Sequence, residues 1–298
     1  MRKSLLKLSD LTKGEIIKIL DLADQLKFEQ KSGIEHHTLK GKTLAMIFAK
    51  PSPRTRISFE VGMFQLGGHA LCLGMNDLQL GQGGTIEDTI SAIYPMTDGI
   101  MIRAFSQKDV EYLAKNSAIP IINGLSDFAH PCQVLADLMT IRERLNELEG
   151  KKIAFLGSGS VCNSMIAGAK ICDMTITVAA PEQYKPDKEA AEFAGCAYKF
   201  TTNPKEAVKS ADVIVTDVWA STEQGPDILA RKEAFAPFQV NVELMKYAPS
   251  HAIVQHCLPS RKGEEITEDV FKKHANAIYT EVENRLHVQK AIMTIFMR

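Results

Sequence analysis

The sequence lacks the features that would direct it to a membrane, to export or to nucleic acid. No apolar run reaches the roughly 18 residues that a membrane span needs, and the first residues lack the apolar core of a secretory signal. Lys and Arg number 35 against 36 Asp and Glu, so no basic excess exists for a general nucleic-acid surface. We therefore expect a cytoplasmic protein whose partner is a small molecule, with no membrane and no nucleic acid involved.

The six cysteines also lack any functional spacing. No C-x-x-C pair occurs, and nothing resembles the spacing of zinc ligands. We therefore expect reduced thiols, of which one at most is functional.

What the sequence does contain is a regular alternation of strands and helices. Short apolar runs such as 44–48 precede amphipathic segments, which predicts βαβ units and mostly parallel sheets. With 298 residues, two cores of about 150 residues each are expected. A charged segment with a glycine, 145–152, favours a boundary there. We predict an α/β fold of two doubly wound domains, 1–146 and 147–298, with a C-terminal helix at about 281–297 packing back on the first domain.

Chemistry-bearing residues follow the predicted strands, where open α/β sheets bind ligands. Ser52 and Pro53 suit the start of a helix whose free N–H groups, with Arg54 and Thr55, would bind an oxyanion such as phosphate. An ordinary capped helix with solvated arginines is the alternative. Three further polar side chains, Arg103, His130 and Gln133, stand at comparable positions, where an exposed arginine and a capping histidine are the alternatives.

A second group of residues follows the strands of the C-terminal half. His256 and Cys257 are adjacent in sequence, so they point to opposite faces and do not suit a nucleophile–base couple. Cys257 either lines a pocket or is a plain buried cysteine, and Asp217 either joins that pocket or caps a helix.

A dinucleotide site is not supported. Gly157 and Gly159 fit G-x-G, but Cys162 stands where the third glycine belongs, and no acidic residue ends the next strand. No G-K-[ST] motif follows the glycines near residue 82, so a nucleoside triphosphate loop is also not expected.

In this order, these clusters resemble the aspartate/ornithine carbamoyltransferase family. Residues 52–56 read S-P-R-T-R, close to the phosphate motif S-T-R-T-R. Residues 130–133 match H-P-x-Q, and 256–259 are an intact H-C-L-P. Segments D-L-Q-L-G-Q-G, T-D-V-W-A-S and E-N-R-L-H are also similar to the family, so the resemblance runs essentially from end to end.

The resemblance implies transfer of the carbamoyl group of carbamoyl phosphate to the side-chain amine of L-ornithine, giving L-citrulline and phosphate in arginine metabolism. It also implies a homotrimer with active sites at subunit interfaces and no cofactor or metal. Carbamoyl phosphate would contact Ser52, Pro53, Arg54, Thr55, Gln79, Arg103, His130, Gln133 and Arg285, with Gln79 donated by a neighbouring subunit. Ornithine would contact Asn163, Asp217, Ser221, Thr222, Cys257 and Leu258, and the catalytic residues would be Arg103, His130, Asp217 and Cys257.

The sequence departs from the family pattern at three points. Pro53 replaces a threonine, and the glycine loop G-S-G-S-V-C-N-S is one residue shorter than the family's G-D-x-N-N-x-x-N-S, so Asn163 matches only the later asparagine. Ser221, Thr222 and Glu223 stand in place of S-M-G. Because two of these changes fall on the acceptor side, two alternatives stay open. One is a carbamoyltransferase for putrescine or a modified ornithine, and the other is a non-catalytic carbamoyl phosphate-binding relative.

Overall fold

Two compact units make up the chain. A computed structural model describes residues 4–74, 77, 86–219 and 228–298. The first unit comprises Met1–Leu135 and Asn284–Arg298, and the second comprises Ala136–Glu283. In the part of the chain that the structure describes, no helix combines the length and the apolar character needed to cross a membrane.

The first unit contains a four-stranded parallel sheet. Its strands are β1 (Thr43–Phe48), β2 (His69–Gly74), β3 (Gly99–Phe105) and β4 (Ile121–Ser126), in the order β2-β1-β3-β4. The helices that alternate with them are α1 (Lys13–Lys31), α2 (Pro53–Gln65), α3 (Ile86–Ile93), α4 (Gln107–Asn116) and the start of α5 (Pro131–Leu145). Short 3-10 turns cover Leu8–Asp10 and Tyr94–Met96.

The second unit contains a five-stranded parallel sheet. Its strands are β5 (Lys152–Leu156), β6 (Thr175–Ala179), β7 (Tyr198–Thr201), β8 (Val213–Thr216) and β9 (Ile253–His256), in the order β7-β6-β5-β8-β9. The helices are α6 (Ser160–Ile171), α7 (Lys188–Ala194), α8 (Pro204–Val208), α9 (Ile228–Phe235), α10 (Val242–Met245) and α11 (Glu268–Met297). Further 3-10 turns cover Glu182–Tyr184, Gly195–Ala197 and Ala236–Phe238.

Strand order places a ligand crevice in each sheet. The first strand of each unit has neighbours on both sides, so the direction of winding reverses beside it, between β1 and β3 and between β5 and β8. Connections leave such a point in opposite directions and open a crevice beyond the carboxyl ends of the strands. The segments that follow β1, β3, β5 and β8 are therefore the ones to examine for chemistry.

Local sequence signals explain the first helix. The Thr12 hydroxyl accepts a hydrogen bond from the Glu15 N–H, and the Glu15 carboxylate accepts one from the Thr12 N–H. This capping box fixes the start of α1, whose apolar face, including Ile16 and Leu20, is buried.

The C-terminal helix is longer than the sequence pattern predicts. It begins at Glu268 rather than near residue 281, and its first turns bury apolar residues of their own, Val270, Phe271, Ala277 and Ile278. From Asn284 onward it belongs to the first unit. There it packs closely on α2, since a Cβ atom at Gly62 would lie 2.8 Å from the terminal methyl of Met293. The predicted fold class, including the return of this helix to the first unit, is confirmed.

Two details of the fold are not marked by the sequence pattern. Strand β7 has only four residues, partly exposed at the edge of its sheet, so it leaves little apolar signal. The predicted boundary at 146/147 follows α5, whereas the compact units divide inside that helix. Beyond Leu135, α5 makes polar contacts within the second unit, since the Gln255 side-chain amide donates to the Asp137 carbonyl and Arg144 Nη2 donates to Asn276 Oδ1.

One carboxylate joins the amino ends of three adjacent strands of the second sheet. The Asp212 carboxylate accepts from the Lys152 N–H at 2.8 Å and lies 2.9 Å from His251 Nε2. Partial burial by itself raises the pKa of Asp212, but the hydrogen bonds from His251 and Lys152 outweigh it, and the net pKa is below its ordinary value.

We predict that Asp212→Asn destabilises the protein at neutral pH and much less in acid. A carboxyl whose pKa is lower in the folded state stabilises that state above its unfolded pKa, and the effect is lost as the pH falls through the folded value. Urea unfolding at pH 7 and at pH 3 measures the difference from the unsubstituted protein, about 1 kcal/mol at pH 7. Glu243→Gln, which removes an exposed ion pair with Lys246, is the control. A difference that does not change with pH would contradict the assignment.

Candidate active site

The turn after β1 presents backbone N–H groups at the start of α2. Pro53 occupies the first helical position, and Ser52 precedes it without using its side chain as a cap. Instead, the Ser52 hydroxyl donates to Thr55 Oγ1 at 3.1 Å. The first N–H groups of a helix lack intrahelical acceptors and carry the positive end of its dipole. This turn therefore has the donors and the field that an oxyanion needs.

Guanidinium groups converge on the same region of the first unit. Arg285 Nη2 donates to Thr55 Oγ1 at 3.0 Å, which connects α11 to the start of α2. Arg103 ends β3, donates to the Gly124 carbonyl at 2.9 Å and lies 3.4 Å from His130 Nε2. Within the residues that the structure describes, the buried Nε–H of Arg285 meets no acceptor, so it can donate to an anion.

His130 lies at the centre of this positive field. The residue is 6% exposed, and it directly precedes α5 in the sequence. Burial lowers its pKa well below the ordinary value, and the charges of Arg103, Arg285 and Arg54 lower it further. The ring is therefore neutral at pH 7, and because a guanidinium can only donate, Nε2 accepts and the proton lies on Nδ1. Gln133, in the first turn of α5, is fully buried. A bound anion would offset the positive charge of Arg54, Arg103 and Arg285.

In the second unit, Asp217 and Cys257 meet beyond the ends of β8 and β9. The Cys257 thiol donates to Asp217 Oδ1 at 2.9 Å, and the Val218 N–H donates to the same oxygen at 2.7 Å. Desolvation and the adjacent Asp217 carboxylate raise the pKa of Cys257 well above its ordinary value. The thiol therefore stays protonated and acts as a hydrogen-bond donor, which excludes a thiolate nucleophile here.

The His256 ring is held from both sides by the protein. Its Nδ1 accepts from the Leu258 N–H at 2.9 Å, so the proton lies on Nε2, which is 2.9 Å from Glu265 Oε1. Leu258 has φ 49° and a cis peptide bond to Pro259. Ligand atoms of Asp217, His256 and Cys257 lie within 4.8 Å of one another, but a metal at this point would have to displace one of the two hydrogen bonds of His256.

Asn163 lies in α6, after the glycine turn that follows β5. Gly157 and Gly159 have φ values of 149° and 122°, which a residue with a side chain rarely adopts. Asn163 is buried, and its Oδ1 accepts from the Asp187 N–H at 3.1 Å. Its contact with an acceptor molecule stays a prediction.

The structure groups most of the predicted site residues by unit. Those brought together in the first unit are Ser52, Pro53, Arg54, Thr55, Arg103, His130, Gln133 and Arg285. In the second unit, Asp217, Cys257 and Leu258 are adjacent. Three predicted residues, Gln79, Ser221 and Thr222, lie outside the described residues.

Comparison with known proteins gives the family. Residues 3–143 match the model of the aspartate/ornithine carbamoyltransferase carbamoyl-P binding domain, and residues 149–296 match the model of the Asp/Orn binding domain of the same family. The chain belongs to the aspartate/ornithine carbamoyltransferase family. The resemblance inferred from the motifs is confirmed.

Individual members of the family are similar over their whole length. An ornithine carbamoyltransferase of Pyrococcus horikoshii is 49% identical over 304 residues, which cover 99% of this chain and 96% of that protein. The solved ornithine carbamoyltransferase of Pyrococcus furiosus superimposes with a TM-score of 0.94 at 45% identity, covering 99% and 97% of the two chains. That of Thermus thermophilus gives 0.90 at 37% identity, covering 99% of each.

Among the departures from the family pattern, Pro53 leaves the start of α2 in place. Proline lacks an N–H and its side chain adds no hydroxyl, but its fixed φ suits the first helical position, which it occupies here. Weaker phosphate binding at a retained helix start stays a prediction.

Glu265 belongs to this site, although no sequence motif indicates it. Its side chain is fully buried, and Oε1 is 2.9 Å from His256 Nε2 and accepts from the Arg261 N–H at 2.6 Å. It therefore fixes the segment that carries Cys257 and Leu258. Two adjacent glutamates, 264 and 265, offer the same local pattern, and only the tertiary structure shows which one points inward.

We predict that Glu265→Ala lowers the free energy of unfolding by about 3 kcal/mol, because it leaves His256 Nε2–H and the Arg261 N–H buried without an acceptor. Glu264→Ala is the matched control, since Glu264 forms a part-exposed ion pair with Lys232 and its loss should cost below about 1 kcal/mol. Urea titration measures both variants. Equal losses for the two would contradict the role assigned to Glu265.

Proposed function

We propose that this chain transfers the carbamoyl group of carbamoyl phosphate to the side-chain amine of L-ornithine and releases L-citrulline and phosphate. The observation that carries the proposal is the convergence of Arg54, Arg103 and Arg285 on the neutral His130 beside a helix start. The names of relatives that are 45–49% identical over nearly the whole chain support the choice of ornithine.

The donor-side residues divide between the phosphate and the carbamoyl group. Ser52, Arg54, Thr55 and Arg285 bind the phosphate through the helix N–H groups, hydroxyls and guanidinium groups. Arg103 and His130, with Thr55, donate to the carbamoyl oxygen, where negative charge develops in the transition state. A neutral His130 suits this role because it donates without adding a fourth positive charge.

On the acceptor side, Asp217 and Cys257 orient the attacking amine. An ammonium has no lone pair, so the amine of ornithine must first lose a proton. Its nitrogen then forms a bond to the carbamoyl carbon while the bond from that carbon to the phosphate oxygen breaks. The second amine proton is released, and phosphate departs with the bonding electrons. Catalysis consists of positioning and electrostatic stabilisation, and the protein forms no covalent intermediate.

The biosynthetic direction is proposed from one relative. The protein of Pyrococcus furiosus, which is 48% identical over 304 residues, is named an anabolic ornithine carbamoyltransferase. We therefore propose a role in arginine biosynthesis. Cytoplasmic localisation stays a prediction from the sequence.

A homotrimer is the assembly that we propose. Helix α2 carries an exposed apolar stripe at helical spacing, Ile57, Val61 and Phe64, with exposed fractions of 59%, 37% and 80%. Leu71 on the edge strand β2 is also exposed. A stripe of this kind is typical of an interaction surface, and we assign it to a second copy of the chain. A solution mass equal to one chain would contradict the trimer.

The proposed reaction is tested with carbamoyl phosphate and a panel of amines, namely ornithine, putrescine, lysine and aspartate. We expect ornithine to have the highest kcat/KM and the product to be citrulline, measured colorimetrically. A higher kcat/KM for putrescine would move the assignment to another amine. Binding of carbamoyl phosphate without turnover of any amine would identify a non-catalytic relative.

We predict that Arg54→Ala weakens carbamoyl phosphate binding about 30-fold, because it removes a charge-assisted contact worth about 2 kcal/mol. Arg56→Ala is the matched control, since Arg56 lies in the same turn but is half exposed and ion-paired with Glu60 at 2.9 Å. Calorimetric titration with carbamoyl phosphate measures both variants. Unchanged affinity in Arg54→Ala, or an equal loss in Arg56→Ala, would contradict the donor site.

A further inference from the structure

Two segments of the second unit meet where its sheet reverses direction. Strands β5 and β8 are neighbours, their last residues Leu156 and Thr216 are paired, and the Thr216 hydroxyl donates to the Leu156 carbonyl at 3.0 Å. The glycine turn with Ser158 follows β5, and Asp217 and Trp219 follow β8. Both segments therefore leave the sheet side by side at the acceptor side of the proposed reaction.

Arg231 of α9 binds both segments at once. Its Nη2 donates to Ser158 Oγ at 2.8 Å, and its Nε donates to the Trp219 carbonyl. The donors of a guanidinium form a rigid planar fork, so two acceptors bound by one arginine are held in a fixed relation to each other. The Trp219 carbonyl is only two residues beyond Asp217.

Aromatic rings hold the guanidinium in place. Its central carbon lies 4.6 Å from the ring centroid of Tyr184 and 5.0 Å from that of Phe235. The Phe235 ring also stacks on the Trp219 indole, with centroids 6.1 Å apart and planes at 24°. Phe235 is fully buried and Trp219 is 5% exposed, so this aromatic cluster is a rigid support for a charge beside it.

We propose that Arg231 is a positioning residue for the acceptor amine. It joins the glycine turn to the segment that carries Asp217, and so it fixes the carboxylate that orients the amine. This proposal rests on the proposed function, because it assigns Asp217 to the acceptor. Because the guanidinium donates to Ser158 and to the Trp219 carbonyl, the role that we assign to Arg231 acts through these two segments.

Ser158 follows the first glycine of the turn, where the family motif G-D-x-N-N-x-x-N-S reads aspartate when matched from that glycine. Its hydroxyl accepts from Arg231 a hydrogen bond that a carboxylate could also accept. The connection is therefore neutral at Ser158, and the aromatic rings and the Trp219 carbonyl hold the guanidinium as well. Ser158→Asp should preserve the connection, whereas Ser158→Ala should remove one half of it.

The test compares steady-state kinetics of Arg231→Met and Arg231→Lys with those of the unsubstituted protein. We expect kcat/KM for ornithine to fall at least about tenfold in Arg231→Met, while KM for carbamoyl phosphate changes less than about twofold, because only the acceptor side is misplaced. Arg231→Lys retains the charge without the fork and should fall in between. Lys232→Met, which removes a cation from the same helix, is the control and should leave both constants unchanged.

Tryptophan fluorescence supplies a readout independent of turnover, because Trp219 is the only tryptophan in the sequence. In Arg231→Met its emission should move to longer wavelength and its quenching by acrylamide should increase. Ser158→Ala should lower kcat/KM for ornithine less than Arg231→Met does, and it should add nothing in the Arg231→Met background, because the two residues act as one connection. Ser158→Asp should behave like the unsubstituted protein.

Specific outcomes would overturn the proposal. One is an unchanged kcat/KM for ornithine in Arg231→Met, and another is an equal loss for both substrates, which would indicate general destabilisation. If the unsubstituted protein prefers another amine of the panel, the proposed acceptor is wrong, and the same comparison with that amine tests Arg231 separately. Turnover of no amine would overturn both proposals.

Discussion

Concentrated positive charge around a neutral imidazole is the constraint on which the first unit depends. Arg54, Arg103 and Arg285 act on one buried ring, and burial keeps that ring from taking a further charge. The protein itself supplies some hydrogen-bond acceptors. The Gly124 carbonyl accepts from Arg103, and Thr55 Oγ1 accepts from Arg285. The remaining attraction is for an anion, and the start of α2 adds a helix dipole of the same sign. This arrangement supports the proposed binding of a phosphorylated donor.

The second unit differs from the first, because hydrogen bonds between its own side chains hold its polar groups in place. The proposed acceptor side needs a carboxylate and a hydrogen-bond donor held at fixed positions. It does not need a concentration of positive charge. Protonated Cys257 meets Asp217, while His256 and Glu265 are buried as a pair behind them. Each of these side chains has a hydrogen-bond partner in the protein. The positions of the reacting groups are therefore set before an amine arrives, as catalysis by positioning requires.

How far the sequence predicts this structure depends on how local the signal is. The capping box of Thr12 and Glu15 and the proline starts of α2 and α5 involve residues within one turn, and they were predictable from spacing alone. Arg285 contacts Thr55 across 230 positions of sequence, so only the resemblance to the family could bring the two together. The choice of Glu265 over Glu264 depends on tertiary packing and has no local signal.

Long-range assembly of the first unit has a consequence for the order of folding. Its residues come from both ends of the chain, Met1–Leu135 and Asn284–Arg298, with the entire second unit between them. On a translating ribosome, the four strands of the first sheet are complete while the second unit is still being made, but Arg285 and the part of α11 that packs on Gly62 emerge only after that unit. Until then, the nascent first unit has the face of α2 around Gly62 uncovered, and its proposed anion site lacks Arg285. The proposed donor site therefore gains Arg285 only after the second unit has been synthesised, so its completion is coupled to translation of the intervening chain.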